Sequence, residues 1–150
     1  MNDTEHAANK RSDSICWMLV FCAWLIASVA TLGSLFVSEI MGHVPCVLCW
    51  YQRICMYPLV LILLAGLFPF DGKLVRYALP LSIAGMLLAI FHLLLVAGLI
   101  PESIKPCVQG IPCTEVQVVW FGFVTIPLLS AMSFLAISTL LVSAHLRRSN

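Results

Sequence analysis

Charged side chains are scarce in this sequence of 150 residues. Only 10% of the residues are Asp, Glu, Lys or Arg, whereas 61% are hydrophobic. A soluble domain of this length would need a far more highly charged surface. The composition therefore excludes an ordinary soluble protein and indicates an integral membrane protein, with residues 1–150 forming a single compact domain.

Several functional signatures are also missing. The basic residues form no cluster and the net charge is only +1, so we expect no nucleic-acid partner. No histidine directly follows Cys49, which excludes the C-x-x-C-H signature of covalent haem attachment. The sequence has no G-x-G-x-x-G run either, so nothing indicates a dinucleotide cofactor.

Long apolar runs occupy most of the chain. Four runs are long enough to cross a bilayer as helices, at about 20 residues per span. They lie at about 15–37, 46–68, 77–100 and 118–142, after a polar segment that we expect to be a short disordered tail. The first run is too long for the apolar part of a secretory signal, so we interpret it as a span. The sequence predicts an all-α, integral membrane four-helix bundle.

The positive charges predict how this bundle is oriented. Six of them lie on one side of the predicted membrane, whereas Lys105 is alone in the loops on the other side. The six are Lys10, Arg11, Lys73, Arg76, Arg147 and Arg148. Because cytoplasmic loops carry the excess of Lys and Arg, we expect both termini in the cytoplasm. Two cysteine-bearing loops would then face the oxidising side of a bacterial inner (cytoplasmic) membrane, where disulfides persist.

Seven cysteines are many for a chain of this length. Cys46 and Cys49 are three residues apart at the start of the second span, so they share one face of a helix. A disulfide between them closes only a small ring, which favours redox chemistry or metal binding over a structural crosslink. We expect Cys16, Cys22 and Cys55, which lie within the spans, to pack as small apolar side chains.

A second pair, Cys107 and Cys113, lies in the other outer loop. Four cysteines allow three connectivities. The first turn of a helix and the nearby Arg53 both favour the thiolate form of Cys46 and Cys49, and the thiolate is the species that attacks disulfides. The simplest scheme is a relay, in which the loop pair exchanges with a soluble protein and then with the pair at the top of the helix.

Two ionisable side chains, Arg53 and His92, lie inside the predicted spans. An arginine at a bilayer centre costs roughly 2.5–3.5 kcal/mol by insertion scales, so something should offset that cost. Arg53 lies roughly 10 Å and His92 roughly 12 Å below the same membrane surface, so we predict that they flank one pocket. A quinone carbonyl needs a donor or a cation, which Arg53 supplies. A histidine that only packs and an arginine that extends to the surface remain the alternatives.

The stretch PCVLCWYQR at residues 45–53, followed by MYP at 56–58, resembles the signature of the disulfide bond formation protein B (DsbB) family. The resemblance covers essentially the whole chain, with four spans and one cysteine pair in each of two outward loops. Only five residues separate Cys107 from Cys113, which resembles the short-loop BdbC-like type. The resemblance implies a protein-dithiol:quinone oxidoreductase that supports disulfide bond formation in exported proteins.

The resemblance also implies a role for each candidate residue. Cys107 would form the mixed disulfide with a thioredoxin-fold partner of the DsbA type, and Cys113 would pair with Cys107. Cys46 would exchange with the loop pair, and Cys49 would face ubiquinone or menaquinone from the membrane pool. Arg53 and a more loosely matched His92 would bind the quinone. The four cysteines are thus the candidate catalytic residues, and Arg53 and His92 are the candidate cofactor-binding residues.

Other functions fit parts of the same pattern. Four outer thiols could bind zinc or another soft ion in a metal-binding or metal-transport protein. Two disulfides could instead only stabilise the loops of an assembly protein. The same chemistry also occurs on the four-helix scaffold of vitamin K epoxide reductase relatives, although the short loops and the WYQR run argue against that scaffold.

Overall fold

The computed structural model describes residues 2–100, 119–120 and 124–149. Its elements, in chain order, are α1 (Asn2–Leu35), a π-helical turn (Phe36–Ile40), α2 (Val47–Leu67), α3 (Leu74–Val96), β1 (Val119–Trp120), β2 (Val124–Thr125) and α4 (Ile126–Ser149). The two short strands pair antiparallel, with Val119 opposite Thr125. Helices therefore dominate the described part of the chain.

Four of the described helical segments are long and apolar enough to cross a membrane: Ser12–Ile40, Val47–Leu67, Leu74–Val96 and Ile126–Arg148. The predicted all-α membrane bundle is confirmed. The cytoplasmic placement of both termini and the single-domain organisation stay predictions from the sequence.

The helices begin and end at places that differ from the sequence estimates. The expectation of a disordered tail before residue 15 is wrong, because α1 already begins at Asn2. This segment contains no Pro or Gly, the two residues least favourable to a helix. The fourth span was expected from about residue 118, but α4 begins at Ile126. Pro127 lies in its first turn, where its missing N–H leaves no helical hydrogen bond unmade.

Each helix packs mainly against two others. The main contacts join α1 with α2, α2 with α3, α3 with α4, and α4 with α1. Small buried residues let the helices approach closely, among them Ala23, Ala27 and Ala89. Gly85 on α3 lies directly against the ring of Phe134 on α4, with no room for a Cβ atom between them. This packing fixes how α3 and α4 meet near the candidate site.

The connection between the π-helical turn and α2 positions the first cysteine pair. Gly42 has a φ of +68°, a left-handed conformation that glycine adopts without strain. The backbone N–H of His43 donates to the carbonyl oxygen of Val37 at 3.3 Å, which ties this connection to the preceding turn. The chain then enters α2 at Cys46.

Candidate thiol redox site

Cys46 and Cys49 meet at the first turn of α2. Cys46 is the N-cap residue, with φ −67° and ψ 167°, and its Sγ accepts a hydrogen bond from the backbone N–H of Cys49 at 3.4 Å. The two Sγ atoms are 2.9 Å apart, and both cysteines are free thiols. A disulfide bond is about 2.05 Å long, so a small movement of either side chain would close one.

His92 on α3 completes the group around Cys46. Its Nε2 lies 3.9 Å from the Cys46 Sγ, and the side chain is 2% exposed. The two Sγ atoms and one ring nitrogen of His92 all lie within 4.8 Å of one another. The structure therefore brings an imidazole from one helix to a dithiol at the start of another. A soft metal ion is one species that such a cluster could bind.

The surroundings of Cys46 favour its thiolate. Cys46 lies just before the membrane-spanning segment that begins at Val47. Hydrogen bonding with the Cys49 side chain is the main cause that lowers the pKa of Cys46, to about 4, against the opposing effect of burial. The hydrogen bond and the electrostatic effect of His92, and the backbone N–H of Cys49, lower the pKa of Cys46 further. The lowered pKa favours the thiolate of Cys46, which is the form of cysteine that attacks disulfides.

Gln52 joins the site, although sequence reasoning assigned it no role. Its Nε2 lies 3.2 Å from Nδ1 of His92, and its Oε1 accepts a hydrogen bond of 2.6 Å from the hydroxyl of Ser130 on α4. The Gln52 side chain is only 6% exposed. The sequence feature that could have pointed to Gln52 is a polar amide within an apolar span, three residues after Cys49. Ser130 gave no signal, because serine is common in membrane helices.

Arg53 is held by the end of α1. Its Nε donates to the Ser34 hydroxyl at 2.9 Å, and one Nη donates to the Ser34 carbonyl at 2.8 Å. The guanidinium carbon also lies 5.6 Å from the centre of the Trp50 ring, at cation–π distance. These contacts offset part of the cost of burying the charge that the sequence analysis identified. Ser34 was missed by sequence reasoning.

A cavity of about 740 Å³ opens beside this group. It is lined mainly by apolar side chains of α1, α2 and α4, with polar groups at the dithiol end. The polar lining includes Cys46, Cys49, Gln52, Arg53 and His92. The structure thus brings together the four predicted site residues that lie within its described part, and it places Arg53 and His92 on one cavity.

Comparison with known proteins identifies the family. The family model described as "Disulfide bond formation protein DsbB" matches residues 14–144. This chain belongs to the DsbB family. A DsbB-family relative, the "Probable disulfide formation protein" of Metapseudomonas resinovorans, is 43% identical over 135 residues, which are 89% of this chain and 94% of that protein.

Relatives from Bacillus species also match this chain. "Disulfide bond formation protein C" of Bacillus subtilis (strain 168) is 47% identical over 122 residues, covering 80% of this chain and 87% of that protein. "Probable disulfide formation protein C 2" of Bacillus cereus is 46% identical over 119 residues, covering 79% and 85%. No solved structure matches with statistical significance. The predicted resemblance is confirmed, and the chain is a multi-pass membrane thiol oxidoreductase of disulfide bond formation.

The other five cysteines of this DsbB-family protein are the loop pair and three cysteines within the spans. Cys107 and Cys113 lie outside the described residues, so their roles stay predictions. Cys16 and Cys55 are 4% and 8% exposed, which agrees with packing in the bundle. Cys22 differs from this expectation because it is exposed on α1 and does not pack in the core.

Proposed function

We propose that this protein reoxidises a DsbA-like, thioredoxin-fold dithiol oxidase and passes the electrons to membrane quinone. It would do so in the bacterial cytoplasmic membrane, with its cysteine pairs facing the periplasm or the exterior. The observation that supports this most directly is the Cys46–Cys49 pair, which lies 2.9 Å apart at one end of a largely apolar cavity. A dithiol beside a largely apolar cavity suits the transfer of electrons from protein thiols to a lipid-soluble carrier.

The partner side of the reaction is a pair of disulfide exchanges. The partner's two thiols reduce the Cys107–Cys113 disulfide and become a disulfide themselves. The loop dithiol then reduces the Cys46–Cys49 disulfide, with attack at the Cys46 sulfur and departure of the Cys49 thiolate. Two electrons thus move from the partner to the pair on α2 while a disulfide returns to the loop; Cys49 takes up one proton, and the other is released because Cys46 is ionised.

The residues that line the cavity fit a quinone. Its apolar walls suit an isoprenoid chain, and the guanidinium of Arg53 supplies N–H donors and positive charge for a carbonyl oxygen. Ser34 binds two of the five N–H donors of this guanidinium within the described part of the chain. A bound ubiquinone or menaquinone would accept two electrons and two protons to become the quinol.

Cys46 and Cys49 would regenerate their disulfide in this step. The lowered pKa keeps Cys46 as a thiolate at neutral pH, and its sulfur lies within reach of the Cys49 sulfur. As electrons leave through Cys49, the Cys46 thiolate forms the S–S bond. Arg53 and the cavity walls would hold the acceptor next to Cys49 and keep water away from it.

The test uses protein purified in detergent, with a reduced DsbA-type oxidase and a short-chain quinone. Absorbance should report catalytic quinone reduction, and Ser substitution at Cys46, Cys49, Cys107 or Cys113 should abolish turnover. Cys22→Ser is the matched control and should keep full activity, because Cys22 is exposed and does not line the cavity beside Cys46. Turnover that survives loss of either cysteine pair, or failure to reduce any quinone, would contradict the proposal.

The cluster of Cys46, Cys49 and His92 keeps metal binding as a second candidate function. It predicts one tightly bound zinc ion per reduced chain and release of that ion upon oxidation of the two thiols. Isothermal titration with Zn²⁺ measures this directly. Tight binding without quinone reduction would favour the metal function, whereas turnover in metal-free buffer would favour the oxidoreductase.

A further inference from the structure

Side chains from three helices form one line of contacts that ends at Cys46. Ser130 on α4 donates to Oε1 of Gln52 on α2, at 2.6 Å. The amide nitrogen of Gln52 lies 3.2 Å from Nδ1 of His92 on α3. The other ring nitrogen of His92, Nε2, lies 3.9 Å from the Cys46 Sγ. The imidazole is therefore held on one side by an amide and directed at a thiol on the other.

With the Gln52 amide oriented as the structure places it, the contacts fit one tautomer of His92. A neutral imidazole has one N–H and one nitrogen lone pair. The Gln52 amide N–H donates to Nδ1, so Nδ1 carries the lone pair and the proton is on Nε2, which faces Cys46. The Ser130 hydroxyl donates to the amide oxygen, which keeps the amide in the orientation that presents its N–H to His92.

Burial supports a specific role for this amide. Gln52 and His92 are 6% and 2% exposed, so both polar side chains are almost fully removed from solvent and lipid. A buried amide without partners would cost free energy that an apolar side chain of similar size avoids. Within the described residues, both hydrogen-bond partners of Gln52, His92 and Ser130, belong to the line of contacts that ends at Cys46.

We propose that Gln52 and Ser130 are positioning residues that hold His92 with its Nε2–H on the sulfur of Cys46. Through His92 they stabilise the Cys46 thiolate that closes the disulfide with Cys49. This inference rests on the proposed role of Cys46 in thiol exchange, but it requires neither the partner nor the quinone. No electron or proton leaves Gln52 or Ser130 in the reaction.

In the part of the chain that the structure describes, other titratable groups line the same cavity as Cys46. They are Cys49, Arg53 and Tyr57 on α2, His43 in the connection before α2, and His92 on α3. Within the described residues, α1 and α4 contribute hydroxyl groups to the polar lining, including Ser34 and Ser130. Gln52 and Ser130 are uncharged, so substituting either residue changes no charge near Cys46. We therefore expect any effect on Cys46 to pass through hydrogen bonding.

The test measures alkylation of Cys46 by iodoacetamide in the reduced protein in detergent, from pH 3.5 to 9, by mass spectrometry. Gln52→Leu should move the midpoint of the rate profile upward by about one pH unit, which corresponds to a tenfold change in the ionisation constant. Ser130→Ala should move it in the same direction by a smaller amount. Ser138→Ala is the matched control, because it removes another buried hydrogen bond of α4, 2.5 Å long to Ser82.

A double substitution separates positioning from a general structural effect. In a His92→Phe background, Gln52→Leu should produce no further shift of the midpoint, since its effect passes through the imidazole. An unchanged midpoint in folded Gln52→Leu, or an equal shift in Ser138→Ala, would overturn the proposal. So would a shift that persists without His92. Failure of the proposed function would appear separately, as absent quinone reduction by the wild-type protein.

Discussion

At the scale of single residues, the site depends on polar side chains that are buried beside apolar ones. Arg53, Gln52 and His92 are each less than a tenth exposed, and each has a hydrogen-bond partner on another element. Buried polar groups are stable when hydrogen-bonded and costly when not. The partners therefore decide what each group can do, and two predictions follow at this scale.

Arg53→His should raise the quinone concentration needed for half-maximal turnover by about tenfold, since the cation and its donors to a carbonyl are lost. Steady-state kinetics with a reduced dithiol oxidase and varied quinone measure this value. Ser34→Ala serves as a milder comparison, because it removes the hydroxyl partner of Arg53 and leaves the charge. Unchanged kinetics in Arg53→His would remove Arg53 from the quinone site.

The lowered pKa of Cys46 should make the stability of the reduced protein depend on pH. The folded value is about 4, against an ordinary value near 9, so ionised Cys46 stabilises the fold. This contribution is fully present above about pH 9, decreases as the pH falls, and is absent below about pH 4. Thermal unfolding of the reduced protein and of Cys46→Ser should show melting temperatures that converge as the pH falls. A constant difference across this range would contradict the prediction.

At the scale of the elements, the start of α2 and the contact between α3 and α4 arrange the site. The N-cap position gives Cys46 a backbone hydrogen bond and brings it next to Cys49. The close approach of Gly85 to Phe134 sets the distance between α3, which carries His92, and α4, which carries Ser130. A change in that distance would therefore move His92 and Ser130 relative to each other.

Gly85→Ala should therefore destabilise the protein by about 1–3 kcal/mol, because the added methyl group meets a rigid aromatic ring. The measurement is thermal or denaturant unfolding in detergent. Gly33→Ala is the control, since a Cβ there meets no atom within 4 Å and alanine favours helix. Equal stability of the two variants would show that α3 and α4 can separate without cost.

At the scale of the whole molecule, four membrane-length helices in the described part of the chain carry the dithiol at one end of the bundle. The charge count predicts that this end faces away from the cytoplasm. Disulfide formation requires that orientation, because the cytoplasm keeps thiols reduced.

The orientation can be tested with reporter fusions and a membrane-impermeant thiol reagent applied to intact cells. Fusions to either terminus should be active only with a reporter that works in the cytoplasm. Cys49, kept as the only cysteine, should react with the reagent from outside, whereas a single cysteine introduced at Lys73 should react only after the membrane is opened. The opposite labelling pattern would show that the bundle has the inverse orientation in the membrane, and it would contradict the proposed function.

The sequence predicted the parts of the site that depend on local spacing. Cys46, Cys49 and Arg53 lie on one helix, and three- and four-residue spacing places them on one face. Depth along a helix follows from residue count, so Arg53 and His92 could be matched in height from the sequence. Gln52, Ser34 and Ser130 could not be assigned, because their partners lie on other helices and nothing in their spacing identifies those partners.

By itself, the sequence determined that this protein is a membrane helical bundle with a C-x-x-C pair at the start of one span, since long apolar runs and short motifs are local properties of the chain. Only the tertiary structure decided that His92 faces Cys46, that Gln52 contacts both His92 and Ser130, and that Ser34 binds Arg53. The physical reason is that hydrogen bonds between helices depend on their rotation and separation. Those are set by close packing, as at Gly85 and Phe134, and not by any single stretch of residues.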